Sequence, residues 1–280
     1  MSSRYQFIII CATEERKQKM EEQFRMLLDD NDKEKETKKT ICKYYLDASL
    51  ISNSADYLAG HNNEEDNFKH ICCSRSHIRA LKYASDSRDD YEFSIILEDD
   101  AAFYKEKFLE SIEEILDNWH IYKIHKMISI GWIPCQNFNY STFLALDDKY
   151  KTNPLKTIPG TKITQRYFNP GLQGYIVKNS TMKPFLDYLF QPTYIDFCNK
   201  MKSWDIFRIQ QKQFGSSPNM DNDLLATDTY LHFLLNQATV FPPLLIEQDV
   251  PSLLGHTNKI LFWDVFFKGY ESEREKYIRL

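Results

Sequence analysis

The segment Phe93-Ser94-Ile95-Ile96-Leu97 is an apolar run of strand length, and it stops abruptly at Glu98-Asp99-Asp100. It reads as a buried strand whose carboxyl end carries three acids. In an open α/β sheet, ligands bind outside the carboxyl ends of the strands. Clustered carboxylates at such a point repel one another, which costs stability unless a cation or hydrogen-bond donors compensate. Hard divalent cations such as Mn²⁺ and Mg²⁺ take oxygen ligands and bridge carboxylates to a diphosphate, so a metal-nucleotide site explains the arrangement. The competing reading is that Asp99 or Asp100 merely caps the following turn.

Strands and helices alternate around this segment. Phe7 to Cys11 reads as a strand, followed by Thr13 as an N-cap and by Met20, Phe24, Leu27 and Leu28 at helical spacing. Asp29 to Lys39 has no apolar residue and reads as a solvated loop or frayed helix end. A helix is expected over Asn67 to Ser85. Another is expected through Phe108, Ile112, Ile115, Leu116 and Trp119, before a strand at Met127 to Trp132. Gln136 to Asn169 is weakly patterned and suits loops and irregular strands around a cleft. Gly174 to Val177 reads as a strand, Thr181 to Phe190 as a helix, Asp196 to Asn219 as a loop, Thr227 to Asn236 as a helix, and Thr239 to Phe241 as a last strand. The alternation implies an α/β chain with a mixed, mostly parallel sheet flanked by helices, and with no internal repeat or linker the simplest count is one domain over residues 1–280.

Composition removes several function classes. The eight glycines never form G-x-G-x-x-G or G-x-x-x-x-G-K-[ST], which excludes a Rossmann fingerprint and a P-loop. A net charge of −5 argues against a nonspecific nucleic-acid binder, and no nucleic-acid partner is expected. No apolar stretch reaches the roughly 18–20 residues of a membrane span. The first residues lack the pattern of a signal peptide, and the six cysteines include no C-x-x-C pair, so free thiols in a reducing, cytoplasmic or virus-associated setting are expected.

Four ordered segments carry a resemblance. Cys73-Ser74-Arg75-Ser76-His77, Leu97-Glu98-Asp99-Asp100, Gly171-Leu172-Gln173-Gly174-Tyr175, and Pro242-Pro243-Leu244 with Gln248 and Ser252 follow one another along the chain. Together they resemble glycosyltransferase family 25, which includes lipooligosaccharide and collagen β-galactosyltransferases. The acidic segment is similar to that family's form of the DxD motif. Two departures stand out: Cys72 where the family has glycine, and a single Arg16 in place of an Asn-Leu-x-Arg-Arg run. The resemblance implies a GT-A-like fold, a UDP-sugar donor, a glycan or protein hydroxyl acceptor, Mn²⁺ (or Mg²⁺) dependence and inversion at the anomeric carbon.

It also implies roles. Asp100 would bind the metal, with Glu98 or Asp99 helping through the metal shell or the donor's ribose, and His256 a further ligand or a plain loop residue. Cys11, Ala12, Thr13 and Arg16 would meet the nucleotide. Ser76 and His77 lie in a helical pattern, where His77 is either a donor contact or a core histidine. Gln173 and Trp132 would line the sugar pocket, Trp132 being equally suited to the core. Gln248 suits a structural role. Inverting transfer needs a carboxylate to take the acceptor's proton, and Asp228 is preferred, with Asp223 and Asp221 close behind and also suited to helix capping. Two other classes compete: a protein of the same fold that binds a nucleotide sugar or glycan without transfer, and an unrelated metal-dependent phosphoryl hydrolase.

Overall fold

The computed structural model describes residues 4–31, 42–47, 65–133, 140–141, 152–164, 171–189, 231, 235–248 and 259–278. Strand β1 (Tyr5–Cys11) is buried along its whole length and leads into helix α1 (Glu14–Asn31). Thr13 caps that helix as expected: its hydroxyl oxygen accepts the Arg16 N–H at 3.2 Å. The helix continues into the polar segment as far as Asn31. Then come β2 (Lys43–Asp47), α2 (Glu65–Asp86), β3 (Phe93–Glu98) and β4 (Ala101–Phe103). Helix α3 (Phe108–Asp117) ends earlier than the Trp119 expected. At Asn118 the backbone leaves the α-helical range, with ψ at 12°, its side-chain amide donates to the Glu114 carbonyl at 2.8 Å, and Trp119–Tyr122 follows as a 3-10 turn. The chain goes on through β5 (Met127–Gly131), β6 (Thr152–Pro154), β7 (Lys162–Thr164), β8 (Gly174–Lys178), α4 (Met182–Leu189), β9 (Ala238–Phe241), β10 (Leu245–Glu247), α5 (Lys259–Phe266) and α6 (Glu271–Arg274).

These strands form one mixed sheet in the order β2-β1-β3-β8-β5-β9-β7-β6, with β10 beside β5 and β4 beside β10. Following the pairings, β1, β2, β3, β5, β6, β9 and β10 point one way and β4, β7 and β8 the other. The mostly parallel sheet expected from the alternation is therefore present, with β8 running antiparallel through its centre. That reversal puts Gly174, where β8 begins, opposite Leu97 near the end of β3 and opposite Gly131 at the end of β5. The carboxyl ends of β1, β3 and β5 and the amino end of β8 thus share one edge.

Successive side chains of a strand point to opposite faces, and both faces here are covered. Phe7, Ile9, Phe93, Ile95 and Leu97 join a core roofed by α1, α3 and α5, whereas Ile8, Ile10 and Ile96 join one roofed by α2 and α4. Two glycines are demanded by close approach. A Cβ on Gly174 would overlap Leu245 Cδ1 and lie 2.9 Å from Leu97 Cδ2, and one on Gly171, whose φ is +89°, would lie 2.7 Å from Ile133 Cγ1.

The helix expected over Thr227 to Asn236 and the loop expected over Asp196 to Asn219 lie mostly or wholly outside the described residues. β2, β4 and β10 were not evident from the sequence, being three to five residues long and without a period of their own.

Candidate active site

The acidic strand end is built by three kinds of contact. Asp99 and Asp100 are each only 7 % exposed. Asp99 Oδ2 accepts the Ala12 N–H at 2.7 Å, and Oδ1 accepts a guanidinium N–H of Arg16 at 2.8 Å. Asp99 therefore ties the loop after β1 to the end of β3. Burial pushes its carboxyl above the usual carboxylate range, while the Ala12 amide and Arg16 pull it back. Cys11, at the end of β1, has its thiol pushed up to about 12 by burial and by the neighbouring Asp99, so it stays protonated at neutral pH.

Asp100 is held through its backbone: its carbonyl accepts the Gln248 N–H at 2.7 Å. Beyond it, the Ala101 carbonyl accepts side-chain amide N–H groups from both Gln23 of α1, at 2.8 Å, and Gln248, at 3.1 Å. Gln23 also accepts the Phe103 N–H at 3.2 Å. The Gln23 side chain thus does for one edge of β4 what a neighbouring strand would do, and β10 covers the other. Gln248 is structural, as expected. A further carboxylate, Glu247, sits in β10 opposite Ala101 and is 4 % exposed.

Glu98 makes the third contact. Its Oε1 lies 3.1 Å from His77 Nε2, and His77 Nδ1 lies 3.0 Å from the Tyr175 hydroxyl. With Glu98 ionised and His77 a neutral imidazole, Nε2–H donates to the carboxylate and the Tyr175 O–H donates to Nδ1. Cys73, one helical turn before His77 on α2, has its Sγ 4.0 Å from the same Glu98 oxygen. Ser76, beside His77, is buried.

Gln173 precedes β8, and its backbone carbonyl accepts the Glu98 N–H at 3.1 Å. Its side chain is 2 % exposed, and its amide oxygen has no hydrogen-bond partner among the described residues. Trp132, in contrast, does not line the site. It is fully buried, its indole N–H donates to the Val240 carbonyl at 2.9 Å, and Phe241 and Phe266 pack edge-on against it. Of its two readings the core one holds, because both the ring and its polar handle are used there.

The structure therefore brings together Cys11, Ala12, Thr13, Arg16, Ser76, His77, Glu98, Asp99, Asp100 and Gln173 around one edge of the sheet. Asp221, Asp223, Asp228 and His256 lie outside the described residues. Sequence reasoning gave no role to Tyr175, Cys73, Glu247 or Gln23. The spacing of Cys73 and His77, four apart on one helix face, was a usable signal, whereas nothing marked Gln23.

The α/β sheet thus carries a buried acidic strand end, joined to the loop after its first strand, at the edge where ligands meet such sheets. The profile of glycosyltransferase family 25 (LPS biosynthesis protein) matches residues 5–199, and the chain belongs to that family. No curated protein matches it. Membership sets aside the phosphoryl hydrolase reading. Among the described residues no helix is long and apolar enough to cross a membrane, and Cys11, Cys42 and Cys73 are free thiols.

Proposed function

We propose that this chain is an inverting, metal-dependent glycosyltransferase of GT-A type, one domain over residues 1–280, that moves a hexose from a UDP-sugar to a hydroxyl on a glycan or protein. The hexose is galactose, glucose or N-acetylglucosamine. The observation that carries the reading is the pair of buried acids at the sheet edge, one bonded to the β1–α1 loop and the other at the turn into β4.

Carboxylate oxygens are the donor set that Mn²⁺ or Mg²⁺ takes, so these residues suit such a cation. Asp100 would hold it, with Glu98 contributing and His256 as a further ligand. When bound, the cation supplies a Lewis acid that neutralises the leaving diphosphate.

The chain's own groups do the rest. Asp99 fixes the Cys11-Ala12-Thr13 loop and Arg16 in one position, so the nucleotide meets a preorganised surface. Gln173 offers a buried amide oxygen that can accept a hydrogen bond from a sugar hydroxyl. Asp228, or in its place Asp223 or Asp221, takes the proton of the acceptor hydroxyl as its oxygen attacks the anomeric carbon. Attack comes from the face opposite the departing UDP, which inverts the configuration.

The test is UDP release from a panel of UDP-hexoses, with Mn²⁺ or with EDTA, comparing wild type and Asp100→Ala. Mn²⁺-dependent release from one donor, lost in the variant, is the expected result. Retained Mn²⁺-dependent donor binding by Asp100→Ala would overturn the metal role. Donor binding without release, whatever acceptor is supplied, would instead make the chain a nucleotide-sugar-binding protein.

A further inference from the structure

Cys73, His77 and Glu98 form a second constellation at the sheet edge, chemically unlike the carboxylates beside it. Their candidate ligand atoms all lie within 4.8 Å of one another. Cys73 and His77 are four residues apart on α2, which puts both on one face of the helix. Glu98 meets that face from the last position of β3. We propose that these three side chains hold a borderline-soft divalent cation, with Zn²⁺ the best match, at a position distinct from the cation at Asp100, the two sites sharing the Glu98 carboxylate.

Geometry and chemistry both support the assignment. A tetrahedral zinc with bonds of about 2.0–2.3 Å to sulfur, nitrogen and oxygen sets its ligand atoms about 3.3–3.7 Å apart. The separations of 3.1 Å between His77 Nε2 and Glu98 Oε1 and 4.0 Å between Cys73 Sγ and that oxygen bracket this value, and Cys73 and His77 also offer ligand atoms within 4.8 Å of one another. Small side-chain movements suffice to close the site. Thiolate and imidazole select Zn²⁺ over Mn²⁺ or Mg²⁺, which take oxygen-rich sites.

A metal-binding histidine needs its other ring nitrogen held, and the Tyr175 hydroxyl lies 3.0 Å from Nδ1. On loading, Nδ1–H donates to Tyr175 and Nε2 turns its lone pair to the metal, the tautomer opposite to the metal-free one. Glu98 is partly exposed, its side chain at 23 %, so the edge of the cluster is within reach of solvent. The consequence is a staple that fixes α2 to the strand end carrying the acids.

Co²⁺ is the probe, since a cobalt–thiolate bond gives a near-ultraviolet charge-transfer band that oxygen and nitrogen ligands do not. The metal-free protein should take up one Co²⁺ with that band, and Zn²⁺ but not Mn²⁺ should displace it. Asp100→Ala should keep the band, which separates this site from the donor's cation. Cys73→Ser should lose it, and Tyr175→Phe should weaken Zn²⁺ binding about 10-fold. In wild type, Zn²⁺ should also protect Cys73 from alkylation, read by peptide mass spectrometry, a measurement that does not depend on any variant folding. Absence of the band in wild type, its persistence in a folded Cys73→Ser protein, or unprotected Cys73 would each overturn the proposal.

Discussion

Replacing Arg16 by alanine isolates the ion pair that joins the β1–α1 loop to the acidic strand end. The two side chains are 12 % and 7 % exposed, and their charged atoms are 2.8 Å apart. At an effective dielectric constant of about 20, that separation is an attraction of about 6 kcal/mol. Part of it is returned because the arginine no longer has to be desolvated, and the net loss on breaking a buried pair is about 3–5 kcal/mol. Asp99 would retain the Ala12 N–H but lose its counter-charge.

Burial already holds the Asp99 carboxyl above its usual range with Arg16 present, and removal of the guanidinium raises it further. A carboxyl whose folded pKa exceeds its unfolded value of about 3.9 favours the folded state when protonated. The variant's penalty is therefore full above the raised folded value and shrinks as pH falls through it toward the unfolded one. Urea unfolding of wild type and variant at about pH 7 and about pH 4 measures this, because titrations elsewhere cancel in the difference. The double variant Arg16→Ala/Asp99→Asn, which carries no uncompensated charge, should recover most of the loss and leave about 1 kcal/mol. A penalty under about 1 kcal/mol, or one equal at both pH values, would refute the reasoning.

Gln23→Leu should cost about 1–3 kcal/mol in urea unfolding, because the Phe103 N–H is left buried without an acceptor while Ala101 keeps the Gln248 amide. Gly174→Ala should cost about 3 kcal/mol or more, since its methyl meets Leu245 and Leu97 in a closed layer; a melting temperature equal to wild type's would show that the layer yields.

The frame of the molecule was legible because its central strands are written in largely apolar runs: Phe7–Cys11 and Phe93–Leu97 needed no tertiary information, although the strands extend to Tyr5 and Glu98. The acid cluster was legible for the same reason, since a charged triplet has few other grounds for abutting such a strand. Partners far apart in sequence were not legible. The resemblance assigns Arg16 to the nucleotide, but nothing in the sequence marks Asp99 as its partner, and Gln23 reads as a surface amide until β4 is found to need it. Trp132 was undecidable, because an indole serves a sugar pocket and an aromatic core equally well. The Val240 carbonyl, contributed from late in the chain, settles it.

The antiparallel central strand has a consequence for synthesis. β3 and β5 are separated in the chain by the short β4, by α3 and by a 3-10 turn, yet the place between them in the sheet belongs to β8. During translation β1, β2 and β3 can zip together as soon as they emerge, but β5 then finds no partner on the growing edge. That edge, Phe93 to Glu98, exposes its hydrogen-bonding groups until Gly174–Lys178 has left the ribosome. The central β3–β8 seam of the finished protein is thus an open edge of the nascent chain, where pairing with another chain competes.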